Sequence, residues 1–188
     1  MKQIVNEGHA LGAHSYTHQY SIYQSEKTYF DDLKNIVRSD TILVSIMHVN
    51  NEMGAIQPIE QAAEIIHEQS RAAFHVDAVQ SFGKLPVYFK DEAGPDVLSI
   101  SCHKIHAFKG SGVIAFRKQL RIEPFIVGGG QEFGLRSGTV AVPQAIALAK
   151  AARIAVENMP NNYQNYKKWS LELYEFFEQF GSDIHMLS

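Results

Sequence analysis

The run "TILVSIMHV" at residues 41–49 limits the folds open to this chain more than any other stretch. It is nearly continuous in apolar and β-branched residues, and it has the length of a strand. Such a run suits a strand covered on both faces, as in a parallel sheet layered between helices. The next segment agrees. Residues 57–70, "QPIEQAAEIIHEQS", place Ile59, Ala62, Ala63 and Ile66 at helical spacing, with Pro58 near the start, where a first turn tolerates it. Strand character returns in "AAFHVDAV" (72–79), "PDVLSISCH" (95–103) and "SGVIAFRK" (111–118). Strand, helix, strand at this spacing predicts an α/β fold with a mainly parallel sheet and flanking helices. After a glycine-rich loop, "VGGGQEFGLRSGTVAVP", the pattern predicts one helix over 143–159 and another over 163–180. The second carries Trp169, Leu173, Phe176, Phe177 and Phe180 on one stripe, the pattern of a face packed into a core. The closing "GSDIHMLS" has the character of a strand that has just begun.

Composition narrows the function classes. With 188 residues, 45% hydrophobic and 20% charged, the chain fits an ordinary globular domain, or one domain plus part of another. A formal net charge of −3 offers no basic field for nucleic acid. No apolar run is long enough to span a membrane. The N-terminus lacks the uninterrupted apolar core of a secretory signal. The single cysteine, Cys102, excludes an internal disulfide and suits a reducing compartment, so a cytoplasmic location is expected.

Ligands of open α/β sheets bind at the carboxyl ends of the strands. Three runs here end in chemistry. "HVNNEMG" (48–54) brings Asn50 to the end of one strand, "HVDAVQ" (75–80) brings Asp77 and Gln80 to the next, and "SISCHKIH" (99–106) brings Ser101, His103 and Lys104 to a third. Taken one at a time, each has an ordinary reading. An Asp after a strand caps a turn, two asparagines form one, a lone lysine is solvated, and His48 and His75 are half-buried, satisfied residues. Together, in order and at neighbouring strand ends, they suit pyridoxal 5'-phosphate (PLP). That cofactor needs a lysine amine for a Schiff base, a carboxylate at the pyridine nitrogen, and hydroxyl, imidazole and backbone donors at the phosphate. Lys104 supplies the amine, Asp77 the carboxylate, and Ser101 with His103 the phosphate-side donors. Asn50 and Gln80 can hydrogen-bond the phenolic oxygen.

Four blocks, "ILVSIMHVNNEMGAIQPI", "FHVDAVQSFGKLPV", "DVLSISCHKIHAFKGSGVIAFRK" and "GGGQEFGLRSGT", resemble successive blocks of the cysteine desulfurases, in order and at the right spacing. These are class V aminotransferase-like, fold type I PLP enzymes that take sulfur from L-cysteine and leave alanine, for iron–sulfur cluster or thiolation pathways. The resemblance runs from about Val37 to the C-terminus. It implies Lys104 as the Schiff-base lysine, Asp77 as the pyridinium partner, Asn50 and Gln80 at the phenolic oxygen, and Ser101 and His103 at the phosphate. Thr139 of "RSGT" corresponds to a residue reaching the phosphate of a neighbouring subunit, so a homodimer and a sulfur-acceptor protein are implied as partners. In the family, an earlier segment carries a phosphate-gripping loop and a histidine stacked on the ring. A later domain carries a nucleophilic loop cysteine and a carboxylate-binding arginine. Residues 37–188 are therefore expected to be a PLP-binding domain incomplete at both ends, weakly active or inactive alone. Cys102, two residues before the lysine, is expected to be a packing residue and not the sulfur acceptor.

Residues 4–33 are similar to a block of the polysaccharide deacetylases, in which an H-S-x-x-H motif binds a divalent metal; here its histidines are His14 and His18. Two imidazoles lack the third ligand and base a catalytic site needs, and the family's aspartate pair is absent, so no metal is assigned. The expected division is a short segment, 1–36, joined to the PLP-binding domain. A metal-dependent deacetylase fragment and a non-catalytic, dimerising remnant are the alternatives.

Overall fold

The computed structural model describes residues 25–89 and 94–181. The elements run α1 (Glu26–Ile36), β1 (Leu43–Met47), α2 (Ile59–Gln69), β2 (Ala73–Asp77), β3 (Val97–Ser101), β4 (Gly112–Phe116) and α3 (Val142–Glu178). The sheet order is β1-β2-β3-β4. The first three strands are parallel, with Met47 beside Asp77 and Asp77 beside Ser99. β4 returns antiparallel to β3 and closes the edge. The mainly parallel α/β fold is thus observed, with one antiparallel strand where a short turn replaces a crossover helix.

The strand period of two sorts the side chains. Phe74 and Val76 of β2 and Leu98 of β3 turn to one face, where they pack with Ala62, Ala63 and Ile66 of α2 and Leu33 of α1. Phe74, Val76 and Ile66 are the largest apolar side chains fully buried there. Truncating Phe74 to alanine would cost about 3–5 kcal/mol from lost transfer energy and the cavity left behind. The opposite face carries Ser45, His75, Asp77, Ser99 and Ser101. β1 has no fully buried residue, and Leu43 is 41% exposed, so its apolar run reflects one packed face and not two.

α1 adds to the elements the sequence predicts. Ser25 caps it by accepting from the Thr28 amide, Lys34 lies in its last turn, and Leu33 with Val37 joins the common core. Leu33 and Val37 lie on either side of the boundary expected near residue 36. His14, His18 and the strand expected in the closing residues lie outside the described residues, apart from Gly181.

The two helices predicted between 143 and 180 form one, running through Pro160. Proline removes one amide donor and crowds the preceding turn, yet helix formers on both sides carry the spiral through. The aromatic stripe is corrected as well: Trp169, Leu173, Phe176 and Phe180 are about half exposed. Phe176 and Phe180 meet edge-on at 5.5 Å, ring against ring on the helix's own surface. Amphipathic spacing identifies an apolar stripe but not what covers it.

Candidate functional site

Asn50, Asp77, Gln80, Ser101, His103 and Lys104 lie at or just beyond the carboxyl ends of β1, β2 and β3. Asp77 is the last residue of β2. Its Oδ1 accepts the Val79 amide at 2.9 Å, which fixes the carboxylate over the turn that follows. Asn50 lies just beyond β1, and its Oδ1 accepts the amides of Glu52 and Met53, both at 2.9 Å. The amide nitrogen of Asn50 is then the end free to donate outward. The turn reading and the ligand reading of Asn50 are therefore compatible.

Lys104 does not end a strand. β3 stops at Ser101, and Cys102–Ile105 form a 3-10 turn closed by His106 in the left-handed region, φ 66°. The turn buries Cys102 and Ile105 and leaves His103 and Lys104 exposed to solvent. Ser101 Oγ and His103 Nδ1 are 2.9 Å apart, a hydroxyl and an imidazole side by side. Cys102 is fully buried, in keeping with a packing role.

The turn is wedged from outside. Gly83, at φ +75°, sits so close to α3 that an added methyl would lie 2.7 Å from Ala155 Cβ and 3.6 Å from Ile105 Cγ2. Only glycine allows the β2–β3 connection, α3 and the Lys104 turn to meet here. One residue on, Lys84 Nζ donates to the Gln80 carbonyl at 2.9 Å. Burial first, and the nearby Lys104 second, push the Lys84 ammonium below the ordinary lysine value. Lys84 lies inside the block "FHVDAVQSFGKLPV", beyond the strand-end positions that pattern alone marks. Thr139 is exposed on the loop into α3 and shares no hydrogen bond with this cluster among the described residues.

The donor set suits a phosphorylated aldehyde with a basic ring nitrogen. An exposed amine, a carboxylate with one oxygen still available, and a hydroxyl–imidazole pair stand on adjacent strand ends. Among the described residues no three His, Cys, Asp or Glu side chains gather as a metal site. Among them, too, no helix is long and apolar enough to cross a membrane.

Comparison with known proteins decides the family. Residues 16–179 match the aminotransferase class-V family. The chain belongs to the class-V aminotransferases. Among these it is 52% identical over 130 residues to a cysteine desulfurase IscS of Ehrlichia chaffeensis, covering 68% of this chain and 31% of that one. It is 42% identical over 160 residues to the IscS of Dictyoglomus turgidum, covering 83% and 39%. A mitochondrial cysteine desulfurase of Candida maltosa is 44% identical over 76% of this chain and 30% of its own. The fold matches a solved NifS-like protein with a TM-score of 0.76 and 41% identity, covering 80% of this chain and 41% of that chain. A NifS-like protein from Rickettsia africae matches with a TM-score of 0.70 and 35% identity, covering 74% and 38%. The chain spans only about a third of the length of the curated relatives it matches.

Proposed function

We propose that this chain is the PLP-binding core of a cysteine desulfurase, which moves the sulfur of L-cysteine to an acceptor protein and leaves alanine. The observation that carries the reading is the placement of Asp77 and Lys104 at the ends of adjacent parallel strands, a carboxylate ending β2 and an amine in the turn leaving β3. PLP, when bound, supplies an electron sink for the electrons released from the substrate Cα–H bond.

The chain's own residues prepare and steer that chemistry. The Lys104 amine would hold the cofactor aldehyde, and its Nζ would be the group that moves a proton at the substrate Cα. The Asp77 carboxylate holds a proton on the ring nitrogen, because an anion beside a base favours its charged form. Ser101 Oγ, at the end of β3, and the His103 imidazole, in the turn that follows, donate to the phosphate. Asn50 Nδ2 and the Gln80 amide orient the ring through its phenolic oxygen. Thr139 belongs to the phosphate site of a neighbouring subunit in a homodimer. The acceptor thiol is not Cys102, whose sulfur is sealed in the core. A single unpaired cysteine also suits a reducing compartment such as the cytoplasm.

The test is direct. Addition of PLP should give a visible absorbance band, and borohydride should then fix the cofactor to Lys104, read by peptide mass spectrometry. Lys104→Ala should lose the label while keeping its thermal transition. Labelling at another lysine, or undiminished labelling of the variant, would overturn the assignment.

A further inference from the structure

Behind Asp77, on the same face of the sheet, runs a polar row that the reading above leaves unused. His75 lies at the centre of β2. Its Nδ1 is 2.7 Å from Ser45 Oγ on β1, and its Nε2 is 3.0 Å from Ser99 Oγ on β3. One imidazole thus bridges three parallel strands. Ser45 is the register neighbour of His75, and Ser99 is the register neighbour of Asp77. The bridge therefore crosses the sheet one pleat behind the carboxylate and shares a strand position with it.

The ring is half-buried, and that burial pushes its pKa below the ordinary histidine value, against the pull of the Asp77 carboxylate. A neutral imidazole donates from one nitrogen and accepts at the other. Two hydroxyls, each able to donate or accept, satisfy both nitrogens at once. Valine or isoleucine would fill the same strand positions without desolvating three polar groups, so the row is a costly way to pack a sheet. Its benefit lies in placement. A fully satisfied network fixes the rotamers of its members and the register of the strands that carry them.

We propose that His75 is a positioning residue for the cofactor site: through Ser45 and Ser99 it locks the ends of β1, β2 and β3 and holds the Asp77 carboxylate where the PLP ring nitrogen must meet it. The inference rests on the proposed PLP reading. An uncharged ring at this place also leaves the Asp77 charge to the pyridinium, where a cation two residues back would compete for it.

The experiment uses the full chain with added PLP, read by equilibrium binding and by the visible spectrum, beside imidazole nitrogen NMR on the apo-protein. His75→Leu, which keeps the bulk and removes both hydrogen bonds, should weaken PLP binding about tenfold or more and displace the absorbance maximum or its pH midpoint. His75→Gln, which retains a donor and an acceptor, should recover part of both. In the apo-protein the His75 ring should show one protonated and one bare nitrogen at neutral pH, and Ser45→Ala or Ser99→Ala should move those signals. If His75→Leu does not fold, the two serine variants, each lacking one hydrogen bond, carry the same binding and spectral test. A lowered thermal transition with unchanged PLP affinity and spectrum would reduce the bridge to ordinary packing and overturn the role. A wild-type chain that shows no visible band with PLP would overturn the cofactor reading and this role with it.

Discussion

Asp77 and Asp96 stand at opposite edges of the same sheet, and the contrast between them separates a working carboxylate from a structural one. Asp96 precedes β3 at the edge away from the strand ends. Its Oδ1 pairs with Arg117 Nε at 3.0 Å, and its Oδ2 accepts the Phe74 amide at 2.8 Å and faces His67 Nε2 at 3.2 Å. Its backbone also holds both neighbours: its amide donates to Phe74 and its carbonyl accepts from Arg117. Arg117 is itself buried and stacks 5.3 Å from the Phe89 ring centroid. Among the described residues the Asp77 side chain has one hydrogen-bond partner, the Val79 amide on Oδ1. A carboxylate used on both oxygens knits strands; one with an oxygen in reserve at strand ends is placed for a ligand.

The largest effect that would sharpen this contrast is on stability. Asp96→Ala should lower unfolding free energy by about 3–5 kcal/mol in urea titration, because it breaks a largely buried ion pair and orphans a strand amide. Next comes Gly83→Ala, expected to cost about 1–3 kcal/mol through the Ala155 contact and the positive φ, and to weaken PLP binding by shifting the Lys104 turn. Acid should act more gently. His48 and His75 both have folded pKa values held below the ordinary one by burial, so the unfolded chain binds more protons at mildly acid pH. Stability should be full above pH about 6.5 and decline as pH falls below it, and His75→Gln should flatten that decline in thermal scans. Smallest is Asp77→Ala, about 1 kcal/mol or less for one lost turn cap, accompanied by a clear loss of PLP affinity. If it destabilised the fold as much as Asp96→Ala, the distinction between the edges would collapse.

Much of the edge was legible in the sequence because strand-end placement follows from short-range pattern. The apolar runs at 41–49, 72–79 and 95–103 reach two residues past the observed strand ends at Met47, Asp77 and Ser101, and the polar residues around those ends fall together once the strands are parallel. What pattern could not show depends on packing partners distant in sequence. The 3-10 turn that frees Lys104 from burial is set by the burial of Cys102 and Ile105 and by Ser111, whose carbonyl accepts the Cys102 amide at 3.2 Å. The Ser45–His75–Ser99 bridge needs the strand register before its three polar residues, each unremarkable inside an apolar run, become neighbours. Pro160 and its asparagines read as a break because local propensity counts the lost hydrogen bond and not the helix on both sides. Aromatic spacing in α3 correctly marks one stripe, but the burial of that stripe is a tertiary property.

The close approach at Gly83 also makes α3 a lever. Its 37 residues correspond to about 55 Å of helix, and Ala155 rests on Gly83, which in turn lies beside Ile105 of the Lys104 turn, roughly a third of the way along. With that contact as fulcrum, the arm from Ala155 to Glu178 is about 35 Å long, so a tilt of about 5° carries its tip through roughly 3 Å. The gearing works in both directions. Whatever restrains the aromatic tip from a distance stiffens the seat of the lysine, and a shift of a few tenths of an ångström at the glycine is amplified into a displacement that the far end can feel.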